Sequence, residues 1–363
     1  MKIGVLGAGQ LGRMMAISGY PLNHQFGFSG NSHDEPSALL GHMFALEDNT
    51  ESIESLVAFA DVITYESENT DVEMAKQINK DVPVYPGERS LFITQHRGRE
   101  KALFDQLEIP CAPYQMVNSL ADLEKAVEHI GLPAILKTAT QGYDGKGQFL
   151  MRSSDQIKEA FESMNGVELI LEGFVNFKRE LSLIAVRNTD NDHQYYPLVE
   201  NTHHNGILRL TIAPAQNIDA EVQKTAEHYM QTLLDEMDHV GVLTIELFET
   251  ENGLVVNEMA PRVHNSGHWS IEGANTSQFE NHIRAISGMP LGDTTPTHNF
   301  SAMVNIIGKI GPIQIPLTMP NAHLHLYDKS ERDNRKLGHI NITADSLTEL
   351  DNSIEQLKEF LPN

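Results

Sequence analysis

Apolar and polar positions along this chain change period several times, and the changes divide it. Lys2–Leu6 (KIGVL) is a near-continuous apolar run, the pattern of a buried strand, and a helix-compatible run begins at Arg13. Gln25–Phe28 and Asp61–Tyr65 repeat the strand pattern as second and third strands, and Val72–Asn79 reads as helical. Strands alternating with helices at this spacing predict a parallel sheet with helices on its faces, over residues 1–95. A new unit, residues 96–290, opens with helical spacing at Arg97–Leu107, ended by Glu108-Ile109-Pro110, and at Leu120–Ile130, ended by Gly131. Strand patterns follow at Leu132–Lys137, Phe149–Met151, Glu168–Val175 and within Lys178–Arg187, then an amphipathic helix from about Ala220 to Met237. After Gly288-Met289-Pro290, strands at Ala302–Gly308 and His323–Tyr327 mark a small β-rich unit, residues 291–363, with no second catalytic domain expected. The expected class is α/β, with α+β character.

One hairpin organises the rest. VLTIELF (Val242–Phe248) and LVVNEMA (Leu254–Ala260) are strand patterns around a short Asn-Gly turn. A three-residue loop, Glu251-Asn252-Gly253 with Gly253 in the left-handed region, would pair Thr250 with Leu254. Glu246 then lies opposite Glu258 on one face, where like charges destabilise unless something neutralises them. A hard divalent cation held by carboxylate and amide oxygens would do so, and Asn257 is adjacent; two surface glutamates on an exposed face is the alternative. The segment after it, Pro261-Arg262-Val263-His264-Asn265-Ser266-Gly267-His268-Trp269, carries cations, amides and a hydroxyl without periodicity, as binding loops do.

Two glycine-rich stretches suggest anions. Gly7-Ala8-Gly9-Gln10-Leu11-Gly12 sits between a strand and a helix, where glycines admit close approach and the helix N-terminus offers N–H donors. A dinucleotide site also wants an acid at the end of the second strand, and Ser29-Gly30-Asn31 has none, so the loop reads as a phosphate site for another ligand rather than a nicotinamide site. Lys137 leads into a second stretch with three glycines in the six residues 142–147, plus Lys146, a composition suited either to covering phosphates or to an ordinary surface turn.

Composition narrows the partners. With 50 acidic residues against 26 Lys plus Arg, the net charge of −24 disfavours nucleic acid and anionic membrane. The single cysteine, Cys111, excludes an intrachain disulfide and a thiolate metal site. No signal peptide or bilayer-length apolar run is visible, so a cytoplasmic protein is expected. Against that acidity, Lys329, Arg332, Arg335 and Lys336 put four cations in eight residues, which reads as a solvated turn or an anion site.

Glu246, Asn257-Glu258 and the Pro-Arg-Xaa-His-Asn-Ser-Gly-His run resemble the magnesium–triphosphate site of the ATP-grasp superfamily. Within it the chain is most similar to the N5-carboxyaminoimidazole ribonucleotide synthetase family, and Gly142–Gln148, Pro197–Leu208 and Tyr327–Asn341 match that family's segments too. The resemblance covers nearly the whole chain. It implies a preATP-grasp domain at 1–95, a two-lobed ATP-grasp domain at 96–290 with a mobile lid at about 120–178, and a C-terminal domain at 291–363. The implied reaction joins bicarbonate to 5-aminoimidazole ribonucleotide (AIR) with ATP, through carboxyphosphate, in purine synthesis. Glu246 and Glu258, with Asn257, would hold Mg2+, for which Mn2+ can stand in. Lys137 and Gly142, Tyr143, Asp144, Gly145, Lys146, Gly147 and Gln148 would hold phosphates, with charge added by Arg97, whose Gln95-His96 context differs from the usual Asp-Arg. The backbone of Glu172, Gly173, Phe174 and Val175 would read adenine, Glu180 would take the ribose hydroxyls, and His203 would contact the nucleotide. Arg262, His264, Asn265 and Lys329 would surround bicarbonate. Glu68, Tyr143, Asp144, Lys146, Lys329 and Arg335 would contact AIR, with Asp144 accepting the amine proton. A homodimer is implied, with a separate mutase acting on the product. Another ATP-grasp ligase, a non-catalytic nucleotide or phosphosugar sensor, and an NAD enzyme stay open as alternatives.

Overall fold

In the computed structural model the described residues are 1–45, 52–142, 147–164 and 166–361. Among them three sheets form. The first has four parallel strands in the order His42–Ala45, Gln25–Gly30, Lys2–Leu6, Val62–Tyr65. Helix Gln10–Gly19 lays Met14 and Met15 into a core with Ile3, Val5, Phe26 and Phe28. Helix Ser52–Phe59 buries Leu56 against Ile63 and Ala60. The His42–Ala45 strand and that helix have no counterpart in the sequence reading. The strand is four edge residues running from exposed His42 to buried Ala45, too short to show a period. The run read as the third strand is therefore the fourth, and it lies on the far side of the first.

The second sheet is antiparallel, in the order Tyr114–Val117, Leu169–Gly173, Ala134–Thr138, Gln148–Met151. Helices Leu120–Ile130 and Ile157–Ser163 close it with Leu123, Ala126 and Ala160 against Leu136, Met151 and Leu171. The Tyr114–Val117 strand was unanticipated; it pairs with a strand more than fifty residues on, Met116 beside Ile170.

The third sheet has nine strands. From its outer edge run Gly253–Ala260, Gly241–Thr250, Arg179–Arg187, Val199–His204, Ile207–Ala213, Phe300–Ile307, Lys336–Ala344 and Ala322–Leu326, and His193–Tyr195 pairs with Arg179–Arg187. Leu210 stands beside Val304, so the C-terminal strands extend the same sheet. Helix Ala220–Glu236 turns Ala226, Met230, Leu233 and Leu234 into the core beneath it.

Two buried histidines tie the N-terminal part of the chain to the third sheet, His282 through the first sheet and His239 through helix Glu88–Thr94. His282 Nε2 lies 2.9 Å from Thr64 Oγ1 while its Nδ1 accepts from Val242 N at 3.1 Å. His239 lies 2.9 Å from Ser90 Oγ and 3.0 Å from the Val242 carbonyl. Among the described residues no helix is long and apolar enough to cross a membrane.

Candidate active site

The three sheets converge on one cleft of about 710 Å³. Gln10 and Glu66–Asn69 reach it from the strand ends of the first sheet, Lys137 and Gln148 from the second, and Glu180, His203, Glu246 and Glu258 from the third. Parallel sheets offer ligands just such a crevice, outside the carboxyl ends of their strands.

Glu246 does stand opposite Glu258, but not for the reason the sequence suggested. Thr250 pairs with Gly253, so the loop is the two residues Glu251-Asn252, and Gly253 sits at φ +117°. Leu247 pairs with Val256 and Glu246 with Glu258, which leaves Asn257 as an extra residue. Such a bulge re-aims side chains and commonly lies beside active sites. Without it the shorter turn would put Asn257 opposite Glu246 and Glu258 on the other face.

Burial raises the Glu246 carboxyl, and the neighbouring Glu258 charge raises it further. Burial also opposes ionisation of Glu258, yet Arg97, which donates from NH1 to Glu258 Oε2 at 2.7 Å, outweighs it and holds that carboxyl below the ordinary range. Both carboxylates still touch the cleft, with side chains 18% and 40% exposed. Their oxygens, with Asn257 on the cleft wall, are hard donors. No group of three or more His, Cys, Asp or Glu that could hold a metal exists among the described residues. Two carboxylates with an amide oxygen suit a hard cation such as Mg2+, which takes one or two carboxylates and completes its shell with water and substrate phosphates.

Lys137 Nζ donates to Glu172 Oε2 at 3.0 Å, and Lys101 Nζ lies 3.6 Å from the same oxygen. Burial alone would push Glu172 up; the two lysines and Arg97 pull it down to about 2. Lys137 itself is lowered by burial despite Glu172. Glu180 Oε2 lies 3.1 Å from His203 Nδ1, a pairing that, with Glu246, raises the imidazole against the effect of burial.

The loop after the hairpin is fixed before any substrate arrives. Arg262 Nε donates to Glu68 Oε2. Burial would raise Glu68, but Arg262 brings its carboxyl down to about 2. His264 is clamped by Gln278, which accepts from its backbone N–H at 2.9 Å and donates to its carbonyl at 2.6 Å. Its Nε2 lies 3.5 Å from Glu246 Oε1, and burial, then Arg262, holds the ring well below its ordinary pKa, so it is neutral. A Cβ on Gly267 would come within 2.4 Å of Ile184 Cδ1 and 2.6 Å of Gln278 Cδ, so a larger residue would have to displace one of these side chains. Asn265 and Asn305 exchange amide hydrogen bonds of 3.1 and 2.7 Å, which leaves Asn265 one N–H and one lone pair for a ligand.

The first glycine loop corrects an expectation. Gly9 N and Gly12 N donate to Glu66, at 2.6 Å to Oε1 and 2.9 Å to Oε2. Two of the amides expected to hold a phosphate thus hold the protein's own carboxylate. A Cβ on Gly9 would meet Glu66 Oε1 at 2.7 Å, which explains the glycine without any nucleotide.

The structure also redistributes the other expected residues. The Gly173 and Phe174 amides are already bonded, to Pro113 O at 2.8 Å and Pro133 O at 3.2 Å. The aromatic wall near them is instead Phe177, stacked on Phe248 with centroids 4.7 Å apart; one Phe between two strand patterns and one at the end of a third gave no sign of it. Lys329 Nζ donates to Gln10 Oε1, while Arg335 donates to Ser330 Oγ at 2.9 Å within its own loop. Of the four basic residues it is Lys336 that lines the cleft. Gly142 and Gln148 line it as well, and Gly147 O accepts from Thr138 N at 2.8 Å. Tyr143, Asp144, Gly145 and Lys146 lie outside the described residues. Val175 is partly buried.

Comparison with known proteins agrees with this geometry. Residues 1–95 match the ribonucleotide synthetase preATP-grasp domain, 102–279 the ATP-grasp domain, and 301–353 the phosphoribosylaminoimidazole carboxylase C-terminal domain. N5-carboxyaminoimidazole ribonucleotide synthase of Pseudomonas aeruginosa is 44% identical over 362 residues, 99% of both chains. The Bacillus subtilis enzyme of that name is 39% identical over 93% of this chain and 90% of its own. The crystal structure of the Thermus thermophilus synthetase superposes with a TM-score of 0.94 at 44% identity over 99% of each chain. The Aspergillus clavatus synthase, in complex with ADP and 5-aminoimidazole ribonucleotide, gives 0.91 at 32% identity over 99% of this chain and 98% of its own. The chain belongs to the N5-carboxyaminoimidazole ribonucleotide synthase family of ATP-grasp enzymes.

Proposed function

We infer that the protein is an ATP-dependent ligase that joins bicarbonate to the amino group of AIR, releasing ADP and phosphate in purine synthesis. The observation that carries this reading is the single cleft that holds Glu246, Glu258, Arg97, Lys137, Arg262 and His264 together.

The chemistry accounts for those residue types. Bicarbonate is a poor electrophile, and phosphorylation makes it a mixed anhydride. The bond from the γ-phosphorus to its ADP oxygen breaks and one to a bicarbonate oxygen forms, giving carboxyphosphate. The AIR nitrogen then bonds to that carbon or to the CO2 it releases, phosphate leaves, and the amine gives up a proton. Phosphoryl transfer of this kind depends mainly on positioning and charge neutralisation. Arg97 and Lys137 supply fixed positive charge from buried sites, already oriented by Glu258 and Glu172. Mg2+, when held by Glu246 and Glu258 with Asn257, would add charge neutralisation at the phosphates. Arg262, neutral His264, Asn265 and Lys329 are assigned to bicarbonate, and Glu68 with Lys336 to AIR. Arg335 then keeps only a supporting part in its loop. Glu180 and His203 are assigned to the nucleotide, as is the Glu172–Val175 backbone, with Phe177 and Phe248 as apolar neighbours. Asp144 is assigned as acceptor of the amine proton, Tyr143 and Lys146 to AIR, and Gly145 to the phosphates.

The proposed organisation is a preATP-grasp domain at 1–95, an ATP-grasp domain at 96–290 with a lid at about 120–178, and a C-terminal domain at 291–363. A cytoplasmic homodimer whose product passes to a separate mutase completes the proposal. The test is ADP release in the presence of MgATP with AIR or bicarbonate omitted in turn. Fast release only when both are present supports the reading; release indifferent to AIR contradicts it.

A further inference from the structure

The outer strand of the hairpin, Gly253–Ala260, is the edge of the nine-stranded sheet. An edge strand leaves a row of backbone N–H and C=O groups without ladder partners. Upstream of the bulge that edge is closed by backbone pairing, Val256 N to Pro110 O at 2.8 Å. From the bulge onward it is closed by side chains of helix Arg97–Gln106. Lys101 Nζ donates to the Asn257 carbonyl at 2.7 Å. Arg97 NH1 donates to Glu258 Oε2 at 2.7 Å. Glu100 Oε1 accepts from Met259 N at 2.6 Å. Positions 97, 100 and 101 stand three and four apart, so they share one helix face. The three residues they hold are consecutive, and the first is the bulge itself.

Lys101 and Glu100 are 1% and 3% exposed. Burying such groups is unfavourable unless each is well bonded, and hydrophobic replacements are often at least as stabilising. Here both bond to backbone atoms on either side of Glu258, and Lys101 also lies 3.6 Å from the Glu172 carboxylate that holds Lys137. Neither is among the residues that line the main cleft, and Glu100 borders only a smaller pocket beside it.

We propose that Lys101 and Glu100 are positioning residues: by holding the Asn257 carbonyl and the Met259 amide they fix the bulge that turns Glu258 onto the face of Glu246. The clamp rests on the reading of those two glutamates as metal ligands. It sets the separation and direction of the carboxylates, so its loss acts first on the metal and only through it on turnover.

The test is Mn2+ binding to the complex of the full-length enzyme with ADP, followed by electron paramagnetic resonance, with ADP binding in chelator as control. The variants are Lys101→Met, Glu100→Leu, Glu100→Gln and Glu258→Gln, each checked by circular dichroism. Lys101→Met and Glu100→Leu should weaken Mn2+ about tenfold, while Glu100→Gln, which keeps an acceptor oxygen, stays within about twofold of the parent. ADP affinity in chelator should not move. Unchanged Mn2+ binding in folded Lys101→Met or Glu100→Leu, or equal behaviour of Glu100→Leu and Glu100→Gln, overturns the clamp. If Lys101→Met does not fold, the two Glu100 variants decide. Loss in Glu258→Gln with no change in the clamp variants overturns the clamp alone; no change in Glu258→Gln overturns the metal reading with it.

Discussion

Glu258 faces Glu246 because Asn257 is extruded from the strand between Val256 and Glu258. Burial raises the Glu246 carboxyl, and the neighbouring Glu258 carboxylate raises it further. Arg97 answers one of the two charges. A cation would answer the other.

Glu258→Gln removes one charge at constant size. Turnover should fall by about 10²–10³-fold, the usual scale for losing a preorganised electrostatic group. Steady-state kinetics on protein with an unchanged melting temperature checks this; near-parent rates in MgATP would remove Glu258 from the site.

NADH and NADPH should not bind. The second strand ends without an acid, and Gly9 and Gly12 already hold Glu66. Fluorescence titration should show no saturation in the micromolar range.

The basic loop separates two expectations. Lys336 lines the cleft, whereas Arg335 bonds Ser330 in its own loop. Lys336→Met should therefore raise the KM for AIR more than Arg335→Ala does. A charge-assisted contact contributes roughly 1.5–3 kcal/mol, so the Lys336 effect should be about tenfold to a hundredfold, with ATP affinity nearly unchanged. Equal weakening of ATP would make the loop a support of the fold.

Acid stability should depend on the buried histidines His282 and His239. Burial lowers His282 to about 3 and His239 to about 4, from the ordinary 6.5. The unfolded chain then binds more protons than the folded one between these values, so stability falls as pH drops below 6.5, by roughly 1.4 kcal/mol per pH unit per histidine until the folded pKa is reached. Above 6.5 neither group adds a slope. Melting temperature measured from pH 7 to 4.5 should fall steeply in the parent and less steeply in His282→Gln.

What the sequence made legible was local. The strand patterns of the hairpin, the strand–glycine–helix start and the basic run at Lys329–Lys336 each lie within a few residues. Glu246 and Glu258 were paired correctly from a turn one residue too long, because the bulge compensates for the shorter turn. What was not legible depends on distant pairing. Glu66 reaches Gly9 across 57 positions, and Lys101 reaches Asn257 across 156. Neither has any signature in its own neighbourhood: Glu66 is one acid among several, and Lys101 sits in an ordinary helix pattern. Asn305 lay unmarked in a strand until the fold set it against Asn265.

The most direct measurement is isotopic. The enzyme is incubated with MgATP, AIR and bicarbonate labelled with 18O, and the released phosphate is analysed by mass. Phosphorylation of bicarbonate in this cleft predicts one 18O in each phosphate formed with product. Unlabelled phosphate, with the AIR carboxylated all the same, would contradict it.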